Sequence, residues 1–344
     1  MTSNAANRKK CRGDLVDENL LIHIGYAKAA SSLLQSAIFS GNHPEIEVIC
    51  DRSISQYHGT GKNCYLKSGS WIFNDKVDGH WSVFPFGTEK RNLGESLKKE
   101  FNCKVDQKLV LSNESWAGHP FSGGIQGPIF ANRIHKSFPD AKILILIREQ
   151  RKMILSTYSD YLVRYGGTAR LEDFLTPRNP DQFAQHQPEY YCFSALVESY
   201  KKNFGEDRVL VMPAENIFKN TNTALNEILS FIGVSKIVFE NETANLNTGR
   251  YDIYCVHRIF RRLNLLGKPL PGNAYAALGV PGLREAVRVS LSKILLRTVK
   301  DRILSRDLKI IEEQIQEKVS KDNVRLQEMT DYNLASYGYL MPND

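Results

Sequence analysis

No stretch of this 344-residue chain stays apolar for the roughly 18 to 20 residues that a membrane-spanning helix needs. Residues 1–19 are polar and lack the apolar core of a secretory leader. Cysteine is sparse: Cys11, Cys50, Cys64, Cys103, Cys192 and Cys255 include no Cys-x-x-Cys pair and no His–Cys cluster. That distribution argues against a zinc site and for a reducing compartment. Cytoplasmic residence is the expectation, with 1–19 as a flexible N-terminus. No Gly/Ser/Pro-rich linker and no internal repeat divides the remainder. Residues 20–344 are therefore expected to form one domain, although the length alone permits two. The triplets Asn113–Ser115 and Asn241–Thr243 match a glycosylation pattern by chance in a chain of this kind. Hydrophobic content of 42% and charged content of 24% are ordinary for a globular protein.

What is present begins at Leu20. Leu20 to Ile24 is a short apolar run suited to an interior parallel strand, and Gly25 permits a sharp turn. From Ser31 to Ser40 the chain carries Leu34, Ala37 and Ile38 on one helical face. A strand feeding a turn and then a helix aims the first free amides of that helix at the turn. Lys28 adds a mobile positive charge, and Ser31 and Ser32 add hydroxyl donors, a set suited to a phosphate or sulfate ester.

A second segment reinforces the first. Lys142 to Ile147 is a continuous apolar strand ending at Arg148, followed by a helical pattern over Glu149 to Tyr165 with Ile154, Tyr158, Tyr161, Leu162 and Tyr165 at helical spacing. In an open α/β sheet ligands bind at the carboxyl edge, so Arg148 and Lys28 would face one crevice if both strands are parallel. Ser156, two turns into that helix, can reach back to an anion held by the guanidinium. Pairing of Arg148 with Glu149 or Asp160 is the plain structural alternative.

With these motifs the chain resembles the PAPS-dependent sulfotransferases of the bacterial or carbohydrate type. PAPS is 3′-phosphoadenosine 5′-phosphosulfate, and the family moves its sulfuryl group to an acceptor hydroxyl or amine. The family loop Pro-Lys-x-Gly-[Ser/Thr]-[Ser/Thr]-x-Leu, which holds the 5′-phosphosulfate, is matched at Ala27, Lys28, Ala29, Ala30, Ser31, Ser32, Leu33 and Leu34. Ala27 stands where Pro is usual, and Ala30 where Gly is usual. The 3′-phosphate motif is matched at Arg148 and Ser156, with Tyr158 and Tyr161 beyond. The tail from Asn323 to Leu340 is similar to the close of bacterial-type members. The resemblance spans about 20–250 plus the tail. It implies an α/β domain with a central parallel sheet flanked by helices, a P-loop-like phosphosulfate loop, and PAPS as donor with no metal. By position it also implies that Arg250 closes over the 3′-phosphate; a salt-bridged surface arginine is the alternative there.

In-line sulfuryl transfer needs positive charge on the leaving phosphate, for which Lys28 is placed, and a base for the acceptor proton. Glu114, at the end of the apolar run Leu109 to Leu111, is the candidate base, with His119 as the alternative. An acid stabilising the start of a following helix would explain Glu114 equally well. His23, on the first strand, reads as a core histidine. A nucleotide-dependent kinase is the rival reading, but its Gly-Lys-[Ser/Thr] order is missing, since Lys28 comes three residues before Ser31. A non-catalytic adenosine-phosphate- or glycan-binding protein is a third reading, made conceivable by Ala30.

The basic charge is local. Thirteen Lys or Arg against four acids lie between Arg250 and Lys309, so this segment outweighs the whole-chain excess of +7. It is expected to form a helical basic appendage, with helices over Ile253 to Leu266 and Leu283 to about Lys309; in the second, Val287, Leu291, Ile294, Leu295 and Thr298 share a face. A solvated basic face, an acidic glycan acceptor, and peripheral docking on an anionic membrane that presents a glycolipid are the readings of this segment. No nucleic-acid recognition motif accompanies the charge. Trp71, Trp81, Trp116, Tyr57 and Tyr65 are candidates to stack on a sugar or adenine ring. Residues 51–94 have the weak periodicity of a variable acceptor loop. A carbohydrate, glycolipid or other hydroxyl-bearing acceptor is expected.

Overall fold

The computed structural model of the chain describes residues 19–26, 28–39, 43–50, 67–68, 107–118, 124, 126–163, 167–176, 187–238, 250–259, 261, 290 and 294–342. Six strands, β1 (Leu20–Gly25), β2 (Ile46–Cys50), β3 (Lys67–Ser68), β4 (Lys108–Asn113), β5 (Lys142–Ile147) and β6 (Val209–Pro213), form one sheet. Their order is β3-β2-β4-β1-β5-β6, and every pairing is parallel. The physical cause is visible in the strand sequences. β1 and β5 are apolar without alternation, and all of β1 and Ile143–Ile147 of β5 are buried, as strands covered on both faces must be.

The helices supply that cover: α1 (Ser31–Ala37), α2 (Gly127–Ser137), α3 (Gln150–Val163), α4 (Leu171–Leu175), α5 (Ser194–Phe204), α6 (Ala214–Lys219), α7 (Thr221–Ile232), α8 (Arg250–Ile259) and α9 (Arg297–Gln327). The expected architecture, a central parallel sheet flanked by helices, is what is found. In α3 the predicted face is buried at Ile154, Tyr158 and Leu162, while Tyr161 is half-buried and Tyr165 lies outside the described residues.

The C-terminal region departs from expectation. Most of the basic segment, 262–289 included, lies outside the described residues. Of the helix expected over Leu283 to about Lys309, Ser290 and Ile294 are helical, an extended Leu296 (φ −57°, ψ 139°) interrupts it, and a helix then runs from Arg297 past the expected end to Gln327. Its buried face includes Ile311, Ile315, Val319, Asn323 and Leu326, all at helical spacing. Ile294, on a core face by sequence pattern, is 74% exposed, because the break at Leu296 takes it off the helix that makes the contact. Part of the basic charge is also turned inward. Arg258 on α8 makes two hydrogen bonds to the buried carboxylate of Asp307 on α9, to which the Tyr254 hydroxyl also donates. The guanidinium sits 6.0 Å from the centre of the Tyr158 ring on α3.

Candidate active site

The sheet order reverses about β1, so the carboxyl ends of β4, β1 and β5 form the edge at which ligands of open α/β sheets bind. Register brings the three ends level: Ile24 is opposite Asn113 on one side, and Gly25 is opposite Leu146 on the other. Glu114, Lys28 and Arg148, each just past its strand, therefore leave neighbouring strands spaced about 4.8 Å apart.

The loop between β1 and α1 is tied to this edge by its backbone. Tyr26 donates its amide to the Leu146 carbonyl at 3.1 Å, and the Ala29 amide donates to the Tyr26 carbonyl at 3.0 Å. The turn expected at Gly25 is made elsewhere: among the described residues of the loop the left-handed ones are Lys28 (φ 71°) and Ala30 (φ 65°). Gly25 is needed for clearance, because a Cβ there would lie 2.4 Å from the Ser31 hydroxyl oxygen. Two L-residues in the left-handed region, separated by one position, store strain of the kind found at ligand clamps. Ala30→Gly should therefore stabilise the fold by about 0.5 kcal/mol. The left-handed penalty of roughly 1 kcal/mol or more is relieved, less the roughly 0.4–1 kcal/mol of extra unfolded-state entropy. Urea unfolding of the variant checks this; a net loss of stability would mean that the methyl packing of Ala30 outweighs the strain.

The charged groups converge on the same loop. Arg148 donates from Nη1 to the Lys28 carbonyl at 2.8 Å. Its Nε is buried with no hydrogen-bond partner among the described residues, and so is the hydroxyl of Ser31, which is 2% exposed. Lys28 is ion-paired through Nζ with Asp160 of α3. Asp160, a candidate partner of Arg148 by sequence, is thus given to Lys28. Ser156 lies half-buried one turn before Asp160. Ala29 and Leu33 turn their side chains into the core, and their amides close the loop on the Tyr26 and Ala30 carbonyls. The side chain of Ser32 lies outside the described residues.

Glu114 opens a 3-10 turn, Glu114–Ala117, directly after β4 and is half-buried. His119, the alternative base, lies outside the described residues, as do Ala27, the side chain of Arg250 at the start of α8, and Trp71, Trp81, Tyr57 and Tyr65. Trp116 is fully buried in the core, so its expected role as a stacking platform is corrected. His23 is a core residue as expected, and it borders the site. Its Nδ1 is 2.8 Å from the Ser112 hydroxyl. Its Nε2 is buried without a partner among the described residues and would lie 3.4 Å from a Cβ on Gly25. Burial lowers its pKa to about 3, so the imidazole is neutral at physiological pH.

Support behind Arg148 comes from Glu149, which pairs with Arg151 and not with Arg148, and from residues that local sequence did not single out. Glu149 is fully buried, and its carboxylate caps α3 by accepting from the amides of Arg151 (3.0 Å) and Lys152 (3.2 Å). Its own amide donates to Glu215 at 3.2 Å, a carboxylate at the start of α6 whose pKa is raised by burial and which also accepts from the Tyr339 hydroxyl. Gln150 donates to Asn323 of α9 at 2.7 Å, and Asn323 donates to the Leu340 carbonyl at 2.8 Å. The C-terminal tail thus fixes the segment that aims Arg148. The resemblance of the tail was the one available signal for this.

No protein-family model matches the chain, and no curated protein matches it either. Among solved structures, a sulfotransferase from Alicyclobacillus acidocaldarius is similar, with 19% identity and a TM-score of 0.44, over 72% of this chain and 93% of that one. The mouse sulfotransferase SULT7A1, crystallised with PAP, is similar with 13% identity and a TM-score of 0.36, over 90% of this chain and 89% of that one.

Proposed function

We propose that the chain is a sulfotransferase that moves the sulfuryl group of PAPS to a hydroxyl of a carbohydrate or glycolipid acceptor. The observation that carries this reading is the convergence of Lys28, Ser31 and Arg148 on one strained loop. There the Arg148 Nε–H and the Ser31 hydroxyl are buried without a partner among the described residues. Buried donors of that kind carry a desolvation cost of about 1–3 kcal/mol unless an acceptor arrives, and a multiply charged anion with several oxygens is the acceptor that suits all of them.

In this reading Lys28 and the loop receive the 5′-phosphosulfate, and Arg148 with Ser156 receives the 3′-phosphate. PAPS supplies an activated sulfuryl group. Lys28 sets its ammonium where negative charge develops on the leaving phosphate oxygen, and Glu114 accepts the proton of the attacking hydroxyl. Arg250 is proposed as a further contact to the 3′-phosphate by its position in the chain. A glycolipid acceptor is supported by Ile294 and Leu296, 74% and 69% exposed beside Arg297 and Arg302, a combination suited to an anionic membrane surface.

Calorimetric titration with adenosine 3′,5′-bisphosphate and with ATP, each with and without Mg²⁺, tests the donor. Metal-independent binding of the bisphosphate, weakened about 10- to 100-fold in Arg148→Ala, is expected from the loss of charge-assisted hydrogen bonds of roughly 1.5–3 kcal/mol. Preference for ATP with strict dependence on Mg²⁺ would put the kinase reading in its place.

A further inference from the structure

We infer that Asp160 is an internal counter-anion, competing with the ligand for Lys28 and thereby setting how tightly the site holds a phosphorylated or sulfated group. The identity of the ligand rests on the sulfotransferase reading; the contact does not.

Lys28 and Asp160 pair with side chains 18% and 22% exposed, so the two charges are largely withdrawn from water and feel each other strongly. Asp160 stands four residues after Ser156 on α3, which puts both on the face that looks toward the loop. The backbone of Lys28 is held. Its carbonyl accepts from Arg148, its φ of 71° is fixed within the turn closed by Ala29 and Tyr26, and Arg148 is anchored at the end of β5. What can move is the flexible four-carbon side chain of Lys28. An anion entering this loop meets an ammonium already neutralised by Asp160, beside a carboxylate that repels it. Arg148 makes no direct ion pair among the described residues: its Nη1 is given to a carbonyl, its Nε to no partner, and the Glu215 carboxylate acts on it only through space. The site thus pairs one committed cation, Arg148, with one that must change partner, Lys28. A residue that only supported the fold would weaken ligand binding when altered. Asp160 should do the reverse.

The test compares wild type, Asp160→Asn and Asp160→Ala, each first checked for an unaltered thermal transition. Titration with adenosine 3′,5′-bisphosphate should show binding about 2- to 5-fold tighter in both variants, the range expected for releasing a partly exposed ion pair. Inorganic pyrophosphate serves as an adenosine-free probe and should show the same ratio. Independently of any ligand, the rate at which acetic anhydride acylates Lys28, followed by peptide mass spectrometry, should rise several-fold, because losing the carboxylate makes the neutral amine more accessible. Unchanged or weaker anion binding in the variants, or unchanged acylation of Lys28, overturns the inference. Absence of bisphosphate binding in all three proteins, with pyrophosphate binding still tightened in the variants, removes the sulfotransferase reading and upholds the role of Asp160.

Discussion

Lys28→Ala is expected to lower turnover with PAPS by about 10²–10³-fold, the cost of removing one preorganised donor from the position where leaving-group charge develops. The effect should fall on kcat more than on KM for the donor, because Arg148 and the loop amides still hold the ground state. The substitution adds no backbone strain, since Ala and Lys are equally disfavoured at φ 71°. It does take the ammonium away from Asp160, which adds repulsion toward any anion. The double variant Lys28→Ala/Asp160→Asn removes that second effect and should recover donor affinity while kcat stays low. Lys28→Arg should rescue poorly, because a planar fork does not reproduce a compact ammonium on a flexible stem. Release of adenosine 3′,5′-bisphosphate during acceptor sulfation is the measurement. A loss under about threefold would exclude Lys28 from the chemistry.

The second large effect concerns stability in acid. His23 has a pKa of about 3 in the folded protein against 6.5 ordinarily, and burial is the cause. Below pH 6.5 the unfolded chain takes up a proton that the folded chain refuses, so stability is lost progressively as pH falls from 6.5 to about 3. The loss reaches on the order of 4 kcal/mol at the lower end, since each pH unit crossed between the two values costs about 1.4 kcal/mol. His23→Gln has no titrating group and should lose this slope. At neutral pH it should be somewhat less stable, through poorer packing and an altered bond to Ser112. Urea unfolding of both proteins between pH 7 and pH 4 gives the comparison. Parallel curves would show that His23 is protonated in the folded state and that water or a conformational change reaches Nε2.

Much of the site could be read from the sequence because its parts are local. The apolar runs Leu20–Ile24 and Lys142–Ile147 lack alternation, and strands buried on both faces satisfy that pattern, so their ends had to lie at sheet edges. The ordering Lys28, Ser31, Ser32 and the spacing of Arg148 from Ser156 likewise needed no partner to be noticed. The C-terminal helix runs past its expected end at Lys309 to Gln327, and breaks at Leu296, because local charge and periodicity over 283–309 carry no signal for either point. α9 is defined instead by what Ile311, Ile315 and Asn323 meet in other elements.

The chain by itself therefore determined three of the strands (β1, β4 and β5), the anion-suited loop and the basic residues beside it, since each depends on side-chain period and turn chemistry within a few residues. The tertiary structure decided which charges are spent and which are kept. It gave Lys28 to Asp160, Arg258 to Asp307 and Asn323 to Gln150, and it left Arg148 Nε and the Ser31 hydroxyl buried without a partner among the described residues. It also moved the strained backbone from Gly25 to Lys28 and Ala30. Those outcomes depend on sheet order and register, which bring together groups separated by as many as 173 positions. In a low-dielectric edge the partner so chosen fixes whether a charge can act on a ligand.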